Sequence, residues 1–356
     1  MALFSTEMVS KYHPDKFADQ ISDAILTHYL SLDPYSHVAC ECLVKDRTVV
    51  LGGEITSRAK CSKADHEAIV QRVAASLGYQ VEKVIDLVSA QSTQIEAAVN
   101  SCASLGAGDQ GMMFGYACNG GRYHLPYGQE LAIRIIKAIE ADVSDNPSSI
   151  LKGDAKTQVT TDLSFKGYVK PIDTVLISVC HKEGYSLEEV QTYLKNLLKT
   201  MVPEALEGQL LLNPAGIWTI GGPEADCGLT GRKIVCDQYG GYAPVGGGAF
   251  SGKDPTKVDR SASYMARRIA VDLVDRYGLD TCTVQLAYAI GKSLPVSASA
   301  VGVDMEGKRF EESQALYKNY DLTPQGMIEF LNLRKLDYEK IAGGNHMIHF
   351  TSGSLC

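Results

Sequence analysis

The sequence has one tryptophan, no Cys-x-x-Cys pair and no apolar run of membrane length. A spanning helix needs about 20 consecutive apolar residues, so a membrane role is excluded by that criterion. The ten cysteines are scattered, Cys40 and Cys42 being the only close ones. Zinc-ligand spacing is therefore missing, and reduced thiols in a cytoplasmic protein are the simplest account. Positive charge is also short: 34 Lys and Arg stand against 42 Asp and Glu, a net charge of −8. That balance argues against a nucleic-acid partner and makes any cation cluster a local pocket. The N-terminus carries no secretory pattern, in keeping with a cytoplasmic location. What remains is an ordinary globular composition, 45% hydrophobic over 356 residues, long enough for two or three subdomains.

The most informative stretch runs from 246 to 259, Gly-Gly-Gly-Ala-Phe-Ser-Gly-Lys-Asp-Pro-Thr-Lys-Val-Asp. Consecutive glycines let main chain approach a ligand closely. Lys253, Lys257 and Arg260 follow at spacings that stack them on one side of a helical turn. Asp254 and Asp259 lie among them, which suits a metal-bound polyphosphate better than a plain basic patch. Residues 247–253 also read G-x-x-x-x-G-K, the opening of a Walker A loop. That motif ends in Ser or Thr, where this chain has Asp254 and Pro255, and no buried strand precedes it. A P-loop NTPase is the weaker alternative.

Read in order, the chain alternates strand pairs with helices. Residues 11–30 become helical after His13, with Pro14 in the first turn; His13, Asp15 and Lys16 fall where free amides meet an anion. Strands are predicted at 38–44 and 48–55, holding Glu41 and Glu54, acids that a half-buried strand tolerates when paired or cation-bound. A helix at 64–77 stops at Gly78 and a strand follows at 82–89. Residues 91–105 have little periodicity and lead into Gly106-Ala-Gly-Asp-Gln-Gly111, a length and composition that predict a lid. Then come a helix at 129–139, strands at 157–165 and 171–180, and a helix opened by the Ser186–Glu189 capping box. Trp218 is either a core residue or a platform for a purine. A helix at 259–277 and a strand at 281–290 complete the third recurrence of strands and helix.

These motifs, in this order, resemble those of the S-adenosylmethionine synthetase (methionine adenosyltransferase) family over about nine-tenths of the chain. The likeness rests on His13-Pro-Asp-Lys with Ala18-Asp-Gln-Ile-Ser-Asp23, Gly52-Gly-Glu-Ile-Thr56, the run from Gly106 to Tyr116, Asp154-Ala-Lys-Thr-Gln-Val159, Asp226 to Lys233, and 246–260. It implies an α+β fold of three similar α/β subdomains about a pseudo-threefold axis, with an N-terminal subdomain at 1–91, a lid at 92–105, a central subdomain at 106–220 and a C-terminal one at 221–356. It implies transfer of the adenosyl group of ATP to the sulfur of L-methionine, with the triphosphate cleaved to pyrophosphate and phosphate. His13, Lys156, Arg232, Lys233 and Lys253 would be catalytic, holding the triphosphate. Asp154, Trp218, Asp226 and Ala249 would join them around ATP, and Glu54, Gln91, Asp109, Asp226 and Lys257 would take methionine. Asp15 and Asp259 would hold Mg²⁺, two ions per site, and Glu41 would lie at a K⁺ site. The implied assembly is a homodimer with shared active sites, paired into a homotetramer. The chain departs from the family pattern at Tyr12, Gln94, Ile217, Pro244-Val245 and Gly343-Gly-Asn-His-Met-Ile348, and its lid segment is slightly short.

The chemistry accounts for a list rich in cations and lacking a base. A thioether sulfur has no proton to lose, so a Ser-His-Asp arrangement would add nothing. The leaving triphosphate carries roughly four negative charges, which fixed cations and Mg²⁺ stabilise as they develop. A non-catalytic ATP-binding relative is the remaining alternative.

Overall fold

Three long helices, buried along much of their length, pack against three four-stranded sheets in a computed structural model that describes residues 2–90 and 106–351. The chain makes three rounds. The first is β1 (Leu3–Val9), α1 (Pro14–Leu32), the hairpin β2 (His37–Lys45) and β3 (Thr48–Thr56), then α2 (Lys63–Ser76) and β4 (Lys83–Asp86). The second is β5 (Gly111–Cys118), α3 (Tyr127–Asp145), β6 (Leu151–Asp162), β7 (Ile172–His181), α4 (Leu187–Met201) and β8 (Gln209–Leu212). The third is β9 (Gly228–Leu229), α5 (Val258–Tyr277), β10 (Leu279–Tyr288), β11 (Ser297–Asp304) and β12 (Arg309–Glu312).

Each round lends its first strand to the next. β1 pairs antiparallel with β6, from Leu3↔Asp162 to Val9↔Lys156. β5 pairs with β10 of the third round, and β9 closes the circle on β2 through Leu43↔Leu229. The sheets are thus β1-β6-β7-β8, β12-β11-β10-β5 and β4-β3-β2-β9. This cyclic exchange is the pseudo-threefold α+β arrangement expected above. It interlocks the rounds, because every sheet needs a strand from a distant part of the chain.

Local chemistry sets the element ends. Pro14 opens α1, and His13 caps it by accepting the Asp15 N–H at Nδ1, 3.1 Å away. Ser186 and Glu189 cap α4 reciprocally, as the sequence predicts. Gly278 ends α5 with φ at 61°, a left-handed conformation that suits glycine. The strands alternate: in β2, Val38, Cys40, Cys42 and Val44 face the core while Glu41 and Leu43 face outward. The start of β6 lies earlier than the sequence suggests. Gly153, at φ 94°, breaks the register between Leu151 and Ala155, so Asp154 and Lys156 stand on a strand rather than on a leading loop. The eight cysteines among the described residues are free thiols. No helix among the described residues is long and apolar enough to cross a membrane.

Candidate active site

The first turn of α1 supplies His13 and Asp15, both buried. Beside them lie Lys156 on β6 and the loop from Asp226 to Lys233. The Lys233 Nζ is 2.5 Å from Asp15 Oδ2, and Asp15 Oδ1 accepts the Leu229 N–H at 2.8 Å. Burial pushes the Asp15 carboxyl up, but these two hydrogen bonds outweigh it and hold the group below the usual carboxylate range. Burial, together with the Lys233 and Lys156 charges, pushes the His13 imidazole down to about 3. His13 is therefore neutral at physiological pH. Because Nδ1 accepts a backbone N–H, the ring proton sits on Nε2, which is left as a donor. The sequence reading counts His13 among five cations; this histidine offers a hydrogen bond instead, and four cations remain.

That protonation state is measurable. The unfolded chain takes up a proton near pH 6.5, well before the folded imidazole does. His13 should thus lower stability progressively as pH falls from there toward 3. In ¹⁵N NMR its ring resonances should stay flat from pH 8 to about 5; a midpoint near 6 would contradict the neutral state.

Asp154 closes the same cluster. Its Oδ2 accepts the Gly222 N–H at 2.7 Å, while its buried Oδ1 finds no protein partner among the described residues. Burial drives this carboxyl up to about 6. An unpaired buried acceptor of this kind is ready for a donor on a ligand, such as a hydroxyl or amine. Trp218 lies on the neighbouring strap, half-buried, its indole N–H bonded to Ile220 O at 2.6 Å. Arg232 is exposed at the loop tip.

A second cluster gathers at the other glycine loop. Lys253 pairs as an isolated bridge with Ala39 of β2, whose other neighbour is Glu54 of β3. Glu41 and Glu54 both point to the exposed side of this hairpin, so strand burial alone does not demand a counter-ion for them. The surroundings of Glu41 do: desolvation holds its carboxyl above the ordinary range, with Lys253 opposing and Glu54 adding. The Lys253 Nζ is 2.5 Å from Asp259 Oδ2. A Cβ on Gly108 would touch the Lys257 side chain at 3.6 Å, and one on Gly111 would lie 3.5 Å from Asp259 Oδ1. The Asp109 loop is thereby laid against Lys257 and Asp259. The two clusters abut where Gly231 faces Ala249. Gln91 and the lid segment 92–105 lie outside the described residues.

Three charges that the sequence places near the ligand are structural. Arg260 is fully buried, its guanidinium gripping Asp23 through two bonds of 2.7 Å. Lys16 is buried between Asp19 and Asp237, at 3.0 and 2.6 Å. Asp254 is buried and accepts the Val38 and Thr256 N–H groups, both at 2.8 Å. In exchange the structure reveals a ladder on α1 that the sequence reading misses. Asp15, Asp19 and Asp23, four residues apart, accept the N–H groups of Leu229, Gly231 and Gly252, fixing both loops to one helix face. The i, i+4, i+8 spacing of the acids is the signal that could have found it.

The threefold repeat also explains the pairing. Asp15 and Asp259 are both the second residue of a long helix, and each holds a loop lysine; the matching position of α3 is Gly128, with no side chain to offer. Among the described residues no three His, Cys, Asp or Glu side chains form a metal cage. One or two carboxylates completed by ligand oxygens is a donor set of Mg²⁺, so Asp15 and Asp259 fit that ion.

Comparison with known proteins gives the family of the chain. The N-terminal, central and C-terminal domain models of S-adenosylmethionine synthetase match residues 1–103, 104–218 and 220–352. The S-adenosylmethionine synthase of Pelagibacter ubique is 40% identical, covering 97% of this chain and 92% of its own. That of Mycoplasmopsis synoviae is 43% identical, covering 97% and 91%. An unusual S-adenosylmethionine synthetase from Campylobacter jejuni superposes with a TM-score of 0.86 at 33% identity, over 97% and 94% of the two chains. The chain belongs to the S-adenosylmethionine synthetase family.

Proposed function

We propose that His13, Lys156, Arg232, Lys233 and Lys253 form the triphosphate cradle of this enzyme, which makes S-adenosylmethionine from ATP and L-methionine. The observation that carries the assignment is the pair of lysines, Lys233 and Lys253, each seated on the carboxylate of a helix first turn. Members of this family need metal ions. We assign Mg²⁺ to Asp15 and Asp259 and K⁺ to Glu41; Mg²⁺ would neutralise triphosphate charge there. Asp154, Trp218, Asp226 and Ala249 surround the nucleoside in this reading. Glu54, Asp109, Asp226 and Lys257, with Gln91, take methionine.

The residues of this chain do four things. His13 Nε2–H and the lysines bind phosphate oxygens as charge develops. Asp154 accepts a donor from the nucleoside. The glycine loops bring backbone close to the polyanion. Glu54 and Lys257 have opposite charges that match a zwitterionic amino acid. No residue is asked to move a proton from the sulfur, which has none.

The outward sheet faces, with Leu43 and Met112 exposed, leave surface for a partner. In this reading the chain forms a homodimer with shared active sites, paired into a tetramer, in the cytoplasm.

The triphosphate should also be hydrolysed before release. Cations that stabilise it as a leaving group keep it bound afterwards and polarise its terminal phosphoryl group for water. Phosphorus NMR of a reaction with ATP, methionine, Mg²⁺ and K⁺ should show pyrophosphate and phosphate in equal amounts. Tripolyphosphate accumulating one-for-one with S-adenosylmethionine would refute the hydrolysis. ADP without S-adenosylmethionine would restore the P-loop alternative.

A further inference from the structure

Asp15 and Asp259 are each occupied by a lysine of the same chain, in ion pairs of 2.5 Å. These are the residues that the proposed reading gives to a divalent cation and to the triphosphate. We propose that the two pairs are exchange latches, which make the binding of divalent cation and polyphosphate strongly interdependent.

The argument is one of charge, taken ligand by ligand. A divalent cation arriving alone must evict a lysine from the carboxylate, leaving an ammonium beside a doubly charged ion. A polyphosphate arriving alone must draw the lysine away. It then leaves Asp15, 3% exposed, or Asp259, 10% exposed, as an uncompensated carboxylate next to a polyanion. Arriving together, the ligands take one partner each, and every charge ends paired. Coupling of this kind is reciprocal, and about tenfold or more in affinity is its ordinary scale.

The main chain is built so that the lysines can leave. Asp15 Oδ1 keeps its bond to the Leu229 N–H while Oδ2 exchanges its partner. The Gly231 and Gly252 N–H groups, anchored on Asp19 and Asp23, hold the roots of both lysines in place. The lysine side chains are about one-fifth exposed, so neither is locked in the core. Lys156 and Arg232 make no ion pair among the described residues, so they are available to attract the polyanion first.

The inference rests on the proposed reading of the site and makes a prediction of unusual sign: removing a metal ligand should tighten metal-free anion binding. Titration calorimetry of the full-length enzyme with tripolyphosphate in chelator should show Asp15→Asn binding about tenfold more tightly than wild type. Asparagine preserves the Leu229 contact, so folding should be retained. In a Lys233→Met background the same change should give a clearly smaller gain, the relief of carboxylate–polyanion repulsion alone, because no lysine is freed. Asp259→Asn with Lys253→Met should repeat the pattern at the second latch. A gain of equal size with and without the lysine would show simple relief of repulsion and overturn the latch. No gain would overturn it too. If wild type binds tripolyphosphate neither with nor without Mg²⁺, the reading of the site itself fails.

Discussion

Replacing Lys253 by alanine should abolish most adenosyl transfer, lowering kcat by about a hundredfold or more, in a protein that still folds. The magnitude is that of removing one preorganised donor aimed at developing charge in a water-poor site. Folding should survive because the loop is held by main chain rather than by this side chain. The Lys253 N–H bonds Phe250 O at 3.2 Å, its carbonyl accepts Arg260 at 3.1 Å, and the preceding Gly252 N–H is fixed on Asp23 at 2.8 Å. The bridge to Ala39 is likewise a backbone contact. What the substitution removes is an ammonium group one-fifth exposed and its pair with Asp259. Steady-state rates with saturating ATP, methionine, Mg²⁺ and K⁺, beside circular dichroism of the same preparation, separate the two effects. Turnover within a few-fold of wild type in a folded variant would remove Lys253 from the catalytic set.

The position of that lysine was legible in the sequence, whereas the fate of its neighbours was not. Lys253, Lys257 and Arg260 share one spacing pattern, yet the third points into the core. Its partner Asp23 is 237 residues away, and no local pattern reports a pairing at that distance. Lys16 is the same case, its carboxylate on Asp237 lying 221 residues on. The fold divides along the same line. Helix ends carried by one or two residues, such as Pro14, the Ser186–Glu189 box and Gly278, could be read directly. So could hairpins, since alternation and turn are local. The three exchanged strands were all missed. β9 is two residues long, and β5 reads Gly-Met-Met-Phe-Gly-Tyr-Ala-Cys, in which glycine hides the alternation. β1 does alternate, but nothing in it says that it pairs with a strand 150 positions later. Periodicity fixes which face of a strand is buried, and leaves its partner open.

The Asp23–Arg260 pair should show how much of the site depends on what the sequence hid. Both side chains are fully buried, with two bonds of 2.7 Å between them. Removing one partner strands a charge in the core, which costs about 3–5 kcal/mol, against under about 1 kcal/mol for an exposed pair such as Arg72–Glu339. Arg260→Met should therefore lower the urea midpoint severely, and Arg72→Met hardly at all. Arg260 has more to lose than its carboxylate: Tyr264 accepts its Nε–H at 3.0 Å and in turn contacts His346 at 2.8 Å, while the Arg260 guanidinium lies 4.1 Å from the centroid of the Tyr338 ring. An apolar double replacement, Asp23→Leu with Arg260→Met, leaves no stranded charge and should recover much of the stability. It should not recover catalysis. Gly252 would have lost the acceptor for its N–H and Lys253 the donor to its carbonyl, so the loop would be free to misplace the ammonium by the ångström that matters. A stable double variant with normal kcat would mean that this buried pair serves folding alone, and an Arg260→Met protein as stable as wild type would mean that it does not serve folding either.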